Sequence, residues 1–340
     1  MQIKVYQLIS LCILSLFVSY SSIYLILKSR MRTHLIDNPS ARSSHRIPTP
    51  RGGGLAIVLA FSLSVLLWFF WSGTFAHILL YILVFSWVIA ALGFIDDLYS
   101  LSAKLRLLIQ LVLALFLTIC IISPFKNGSN IYLDCLVIGV VIFLIIWFVN
   151  LYNFMDGIDG LAATECIFVA LAAVSILFIN SSHSLMLVPM IILATSSLGF
   201  VLWNFPPAKI FMGDIGSGFI GFVFAAFIVY SVAHKEVSIF AWLIWLSVFL
   251  CDATYTLCYR ITHKCSPFQP HCTHAYQILA KKWGSHKKVL FSILYYNVFW
   301  LYPLGWLASE YMQYRWVFLL AAFIPGITIC LIVKAGVSSE

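Results

Sequence analysis

The sequence predicts an all-α polytopic membrane protein with about eleven transmembrane helices. Of its 340 residues, 62% are hydrophobic and only 9% are charged, and the mean hydropathy is +1.01. A water-soluble domain contains fewer apolar and more charged residues. The apolar residues also fall in windows of about 20, the length that an α-helix needs to cross the hydrocarbon core of a bilayer.

These apolar windows follow one another along the whole chain. They cover residues 5–27, 53–71, 77–94, 105–123, 132–150, 161–180, 185–203, 215–233, 238–258, 289–307 and 315–334. The first window is too long for a signal peptide and no small-residue cleavage pattern follows it, so we expect it to be retained. Because no linker or low-complexity segment divides the chain, residues 1–340 are interpreted as one integral-membrane domain.

The basic residues predict the orientation. With the N-terminus outside, the C-terminus and the loops near 28–52, 95–106, 150–160, 204–217 and 259–288 face the cytoplasm. This orientation places sixteen of the twenty lysines and arginines inside, as the positive-inside rule requires. The nine cysteines are scattered, mostly in apolar windows, which does not suggest a disulfide framework.

The most informative stretch is NLYNFMDGIDGL, which runs from residue 150 to residue 161 between two apolar windows. It contains the carboxylates of Asp156 and Asp159 and the amide of Asn153. Carboxylates at a membrane surface are costly unless they are paired, hydrated or bound to a cation. A hydrated turn is the simpler interpretation, but further acidic residues are predicted at the same membrane face.

Two of the other inner loops add carboxylates and cations. Asp96 and Asp97 end the third window, and Arg106 follows them. Asp214 lies near the start of the eighth window, where it could bind a cation or simply cap the helix.

The remaining two inner loops add basic residues and histidines. The first inner loop is an arm that contains His45 and Arg51 and ends in three glycines, whose amides could bind phosphate at a helix start. The last inner loop contains His271 and His274, which would share a face if this segment formed a helical turn.

Together these loops predict a divalent-cation site for phosphoryl transfer. Hard oxygen ligands select Mg²⁺, with Mn²⁺ as the alternative. A divalent ion with carboxylates and cations is suited to phosphoryl transfer, and the helix bundle suggests that one substrate is a lipid. A zinc site is disfavoured, because the cysteines and histidines near residue 271 lack a CxxC pair.

The loops together resemble the polyprenyl-phosphate N-acetylhexosamine-1-phosphate transferases. This family includes undecaprenyl-phosphate GlcNAc-1-phosphate transferases and phospho-MurNAc-pentapeptide transferases. The resemblance covers most of the chain and is strongest at the paired aspartates, at 150–161 and at 204–217. The segments 48–54 and 252–260 resemble bacterial members that begin O-antigen or capsule synthesis.

The resemblance implies a reaction, a location and partners. A UDP-HexNAc and undecaprenyl or another polyprenyl phosphate would give polyprenyl-diphospho-sugar and UMP, in a Mg²⁺-dependent reaction at the cytoplasmic face of the bacterial inner membrane. No nucleic-acid partner is implied, and a homodimer is a family-level expectation. Direct attack by the lipid phosphate is favoured over a covalent aspartyl intermediate, because a phosphate monoester is already anionic at neutral pH.

The resemblance also implies residue roles. Asp214 and Asn153 correspond to the metal site. The candidate catalytic residues are Asp96, Asp97, Asp156 and Asp159. The candidate substrate-binding residues are Arg106, Phe211, Asn204, Lys209, His271, His274, His45 and Arg51. Phe211 corresponds to an aromatic side chain that stacks on uracil, and the two histidines correspond to an element that faces the sugar diphosphate.

Two alternatives remain. The pentapeptide transferases have three adjacent histidines where this chain has PHCTH, which disfavours a MurNAc-pentapeptide substrate. A cation-coupled transporter would place carboxylates at mid-bilayer on broken helices, whereas here they are predicted at one surface.

Overall fold

The prediction of an all-α membrane protein is confirmed, with 81% of the chain in helices. The computed structural model describes residues 4–29, 35–37, 39, 47–73, 76–122, 131–180, 183–265 and 271–337. Within these ranges ten helical segments are long and apolar enough to cross a membrane, and one bent pair raises the number to eleven.

The helices follow the predicted windows closely. They are α1 (Val5–Lys28), α2 (Gly54–Ser72), α3 (His77–Tyr99), α4 (Ala103–Ile121), α5 (Ile131–Phe154), α6 (Leu161–Asn180), α7 (Leu187–Asn204), α8 (Asp214–Ala233), α9 (Ile239–Trp245), α10 (Ser247–Thr262), α11 (Ala275–Trp283), α12 (His286–Tyr296), α13 (Tyr302–Glu310) and α14 (Arg315–Val333). A π-helical turn (Asn297–Leu301) joins α12 to α13, and a 3₁₀ turn (Met312–Tyr314) precedes α14. Two short antiparallel strands, β1 (Ile36–Asp37) and β2 (Thr49–Pro50), pair Ile36 with Pro50.

The core is organised around α8, almost all of whose residues are buried. Helices α2, α3 and α5 pack against it. Glycines allow the closest of these contacts, because a Cβ atom on Gly54 would overlap the backbone of Gly216 on α8. The start of α8 is therefore held at the same level as the start of α2.

One predicted span is wrong in shape. The window 238–258 is not one helix, because α9 and α10 meet at Leu246 with a bend of 74°. Helix α10 carries the buried polar residues Asp252 and Arg260. A polar helix of this kind is poorly suited to lipid contact, and Asp252 instead binds the start of α11.

Several predicted loops are shorter than expected because helices continue into them. Asp96 and Asp97 lie in the last turn of α3, and Asn153 lies in the last turn of α5. The segment with the two histidines is not a helical turn, because His271 precedes α11 and His274 is its N-cap residue, but the two rings still stack on each other. His45, predicted to bind substrate, lies outside the described residues.

Candidate active site

The paired aspartates reach the start of α8 because Gly93 lets two helices touch. A Cβ atom on Gly93 would overlap the backbone of Asp214. Asp96 and Asp97 follow Gly93 within one turn, so their carboxylates lie beside the first residues of α8. Two chain segments more than a hundred residues apart thus form one acidic cluster.

Arg106 lies between two carboxylates of this cluster. Its Nη1 atom donates a short hydrogen bond to Asp96 Oδ2 and another to Asp214 Oδ2 at 3.2 Å. The other oxygen of Asp96 accepts a bond from the amide of Leu101 at 2.6 Å, which fixes the turn between α3 and α4. A guanidinium in this position offsets the repulsion between the two acids.

Asn153 connects α5 to the same carboxylate. Its Nδ2 atom donates to Asp214 Oδ1 at 2.7 Å and to Ser217 Oγ at 3.3 Å. About 30% of the Asp214 side chain is exposed. The carboxylate is therefore held by neighbours but is still accessible from solvent.

Asp97 faces the amino end of α8. The backbone amide of Ile215 donates to Asp97 Oδ2 at 3.4 Å. Gly213, which precedes the helix, has φ of +75°, and a Cβ atom there would also meet the Asp97 carboxylate. A glycine is thus required twice over at this position.

The turn from 155 to 160 brings Asp156 toward the cluster. Burial raises the pKa of Asp156 well above its usual value, and the charges of Asp214 and Asp97 raise it further, while Arg51 opposes them. The charge of Asp156 is therefore strongly disfavoured in the protein alone. A bound cation would reverse this effect.

Asp159 is engaged in holding the turn. Its Oδ2 atom accepts a hydrogen bond from the amide of Ala208 at 3.1 Å, and its Oδ1 atom lies 3.2 Å from His286 Nδ1. Asn204 has a similar part, since it accepts from the Gly160 amide and donates to the Ile210 carbonyl, both at 2.8 Å. Both side chains are buried and use these atoms within the protein.

The glycine arm pairs with the loop before α8. The amides of Gly53 and Gly54 donate to the carbonyls of Phe211 and Met212 at 2.9 Å. These two amides are therefore not available to phosphate, which corrects the suggestion made from the sequence. The pairing places Phe211, which is half-buried, beside the arm.

Two predicted cations lie at the edge of this arrangement. Arg51 forms an ion pair with Asp37 at 2.6 Å and also interacts electrostatically with Asp97 and Asp214. Lys209 is exposed, and its Nζ atom lies 5.2 Å from the centre of the Trp203 ring.

The histidines form a separate group around Asp252. Their rings stack at 5.0 Å. Asp252 Oδ1 lies 3.1 Å from His274 Nδ1, and the carboxylate accepts the amides of Ala275 and Tyr276 at 2.9 Å. Asp252 thus caps α11 and fixes the buried His274. Tyr276 donates to the carbonyl of Phe154 at 2.9 Å, which links this group to the end of α5.

The oxygen donors fit a hard divalent cation in kind. Across the described ranges, no three histidine, cysteine, aspartate or glutamate side chains are close enough to form a complete metal site. Mg²⁺ is commonly held by one or two carboxylates together with substrate phosphates and water. The accessible carboxylate of Asp214 beside Asn153 suits that incomplete type of site.

Sequence reasoning missed several residues of the site. A cavity of about 30 Å³ lies here, with a polar side lined by Asp96, Arg106, Asn153 and Asp214 and by Gln110 and Asn150. Asn150 donates to Gln110 Oε1 at 2.8 Å. Gln110 lies four residues after Arg106, so helical spacing could have indicated that it faces the same cavity. No comparable signal in the sequence pointed to His286.

The chain is similar to known proteins over most of its length. The sequence model of the family described as glycosyl transferase family 4 matches residues 79–232. The probable undecaprenyl-phosphate N-acetylglucosaminyl 1-phosphate transferase of Bacillus subtilis (strain 168) is 32% identical over 74% of this chain and 71% of its own length. The undecaprenyl-phosphate alpha-N-acetylglucosaminyl 1-phosphate transferase of Thermotoga maritima is 29% identical over 79% and 80%. The phospho-N-acetylmuramoyl-pentapeptide-transferase of Vesicomyosocius okutanii is 28% identical over 57% and 62%.

Proposed function

Because the chain belongs to the polyprenyl-phosphate sugar-1-phosphate transferases of glycosyl transferase family 4, we propose that it transfers a HexNAc-1-phosphate from a UDP-sugar to undecaprenyl phosphate. The observation that carries the proposal is the convergence of Asp96, Asp97, Asp156 and Asp214 with Arg106 at one end of the helix bundle. Asp96, Asp214 and Arg106 line a small cavity, and a cluster of acids with a guanidinium is suited to binding a cation and phosphate groups.

The proposed reaction is a direct displacement. An oxygen of the lipid phosphate forms a bond to the β-phosphorus of the UDP-sugar. The bond from that phosphorus to the bridging oxygen of UMP breaks, and UMP leaves with the electron pair. No oxidant and no further reactant is needed.

Asp214 and Asn153 would hold Mg²⁺. The ion would neutralise the negative charge of the diphosphate, including the charge that develops on UMP as it leaves. Asp97 would orient the lipid phosphate from its position at the amino end of α8. Arg106 would fix the positions of Asp96 and Asp214. Phe211, at the rim beside the glycine arm, would contact the uracil base.

Location and pathway are part of the proposal. The site would face the cytoplasm of a bacterial inner membrane, and the product would begin a surface polysaccharide such as O-antigen. A homodimer belongs to the same proposal. The 48–54 and 252–260 segments support the branch that begins surface polysaccharides.

A second candidate is phospho-MurNAc-pentapeptide transfer, which the similarity to the Vesicomyosocius protein favours. The sequence PHCTH, in place of three adjacent histidines, supports the HexNAc substrate instead. The bend at Leu246 is a broken helix, which is one of the features expected of a transporter. However, the acidic cluster lies at helix ends rather than at that break.

The test uses purified protein with undecaprenyl phosphate, Mg²⁺ and a panel of UDP-HexNAc donors and UDP-MurNAc-pentapeptide. We expect lipid-dependent UMP release from one UDP-HexNAc, with the matching lipid product identified by mass spectrometry. Turnover of only the pentapeptide donor would establish the second candidate. Absence of UMP with every donor, in folded protein, would contradict the proposal, and a labelled protein formed with UDP-sugar alone would contradict direct attack.

A further inference from the structure

A buried acid–amide pair, whose acid follows the turn from 155 to 160 by five residues, has no part in the proposed reaction. Glu165 is on the second turn of α6, and Asn297 is the first residue of the π-helical turn after α12. Both residues are 1% exposed. Asn297 Nδ2 donates to Glu165 Oε2 at 2.5 Å.

The remaining oxygens of this pair have no partner among the residues that the structure describes. Within those ranges Glu165 Oε1 and Asn297 Oδ1 are both buried and lack a hydrogen bond. No ion pair involves Glu165 in the described part of the chain, where the acid–base pairs lie elsewhere. A buried, unpaired carboxylate with a single hydrogen bond is very costly, and two unpartnered acceptors add to that cost.

A proton on Glu165 would remove its buried negative charge and would also provide a hydrogen-bond donor for the unpartnered oxygens. A carboxylic acid can pair with a primary amide through two hydrogen bonds, in which the amide N–H donates to the acid carbonyl and the acid O–H donates to the amide oxygen. The first of these bonds is present. A proton on Glu165 Oε1 would supply the donor that Asn297 Oδ1 lacks.

In the described ranges, the groups recorded around Glu165 carry no positive charge. Tyr152 on α5 interacts electrostatically with Glu165, but its hydroxyl is uncharged and has no hydrogen-bond partner in the part of the chain that the structure describes. Cys166, the next residue on α6, shares a contact of 3.2 Å with Ser197 on α7. The surroundings of Glu165 therefore favour the neutral acid.

Asn297 directly follows α12, and other residues of α12 contact the turn from 155 to 160. His286 meets Asp159 at 3.2 Å, and Leu290 packs so that a Cβ atom on Gly160 would lie 3.0 Å from it. Positions 286, 290 and 297 lie on one helix face by their spacing of four and eleven residues. The π-helical turn sets the position of Asn297, and such turns are frequent at functional sites.

We propose that Glu165 is a neutral carboxylic acid that forms a doubly hydrogen-bonded pair with Asn297, and that this pair positions the turn that carries Asp156 and Asp159. Glu165 is thus a positioning residue and does not contact substrate. The part of this proposal that concerns catalysis rests on the proposed function, whereas the part that concerns protonation does not.

The protonation state is tested without substrate. Infrared difference spectra between the wild type and Glu165→Gln should contain the carbonyl band of a protonated carboxylic acid, present only in the wild type and shifted in D₂O. A carboxylate band in its place would overturn the neutral acid. This outcome is independent of whether the protein is a transferase.

The positioning role is tested by a set of variants. Glutamine reproduces both hydrogen bonds of the neutral acid, so Glu165→Gln should retain stability and turnover. Glu165→Ala and Asn297→Leu should each raise KM for the UDP-sugar about tenfold and lower the melting temperature. If Glu165→Gln loses as much activity as Glu165→Ala, the side chain is needed as a charge and the proposal is wrong.

Two further variants separate positioning from general destabilisation. Ser231→Ala removes a different buried hydrogen bond, the one accepted from Trp242 at 3.0 Å, and should lower the melting temperature without changing KM. The double variant Glu165→Leu/Asn297→Leu should be more stable than Glu165→Leu or Asn297→Leu alone, because no polar group is left unpaired. A KM that rises equally in Ser231→Ala would contradict a specific effect on the turn.

Discussion

The side-chain amide of Asn153 donates a hydrogen bond to Asp214 at 2.7 Å, although 61 residues separate them in the chain. This contact joins the end of α5 to the start of α8 beside Arg106. The carboxylate is thereby held in one orientation while part of it is still accessible. Replacement of this one charge is therefore the most direct test of the proposed metal site.

Asp214→Asn should lower Mg²⁺-dependent turnover by about 100-fold or more. Asparagine keeps the size of the side chain and an oxygen that can accept from Asn153, but it removes the negative charge. Turnover measured against Mg²⁺ concentration checks this.

The control for this variant is Glu236→Gln. Glu236 follows the opposite end of α8 and accepts a bond from Ser184 at 2.7 Å. This variant should leave the Mg²⁺ dependence unchanged. Unchanged turnover in Asp214→Asn would remove Asp214 from the metal site.

Arg106→Lys should reduce kcat by about 100-fold, because small displacements of reacting groups have effects of that size. Lysine keeps the positive charge but cannot present the planar donors that now contact Asp96 and Asp214. Lys104→Ala, on an exposed neighbouring position of α4, is the matched control. Equal activity of Arg106→Lys and the wild type would mean that charge alone is sufficient at this position.

The sequence could predict that the acidic loops lie on one side of the membrane, but not which of their side chains contact each other. Alternating spans bring the ends of α3, α5 and α8 to one side, and this follows from the apolar windows. That Arg106 bonds Asp214 depends on the contact between Gly93 and the α8 backbone, which no spacing in the sequence indicates.

The sequence also could not distinguish polar side chains that bind loop backbone from polar side chains that line the cavity. Asn204 and Asp159 belong to polar motifs, yet both bind backbone groups inside the protein. Asp252 was visible as an acid within an apolar window, but its partners lie more than twenty residues later in a short helix. Only the folded chain shows which polar atoms are already satisfied.

Gln110→Leu should raise KM for the lipid phosphate about tenfold and change KM for the UDP-sugar little. Gln110 lines the same cavity as Arg106 and lies one turn further into α4, toward the membrane, where we expect the lipid phosphate. Leucine would also leave the Asn150 amide without its partner in α4.

Initial rates, measured with the concentration of each substrate varied in turn, give KM for the lipid phosphate and KM for the UDP-sugar separately. Gln313→Leu changes an exposed glutamine in the turn before α14 and should alter neither constant. A larger change in KM for the UDP-sugar than for the lipid would place Gln110 on the nucleotide side of the site.

The stability of the protein should fall as the pH is lowered from about 6.5 to about 4. Burial lowers the pKa of His271 to about 4, assisted by His274 and Arg260 and opposed by Asp252, whereas an unfolded histidine titrates near 6.5. Between these values the unfolded chain binds more protons than the folded protein, so the free energy of unfolding decreases as pH falls. His271→Asn removes this contribution and should show a smaller drop in melting temperature between pH 7 and pH 5 than the wild type. His263→Asn, at an exposed position, should retain the drop of the wild type, and an identical pH dependence of all three proteins would show that His271 is not the group responsible.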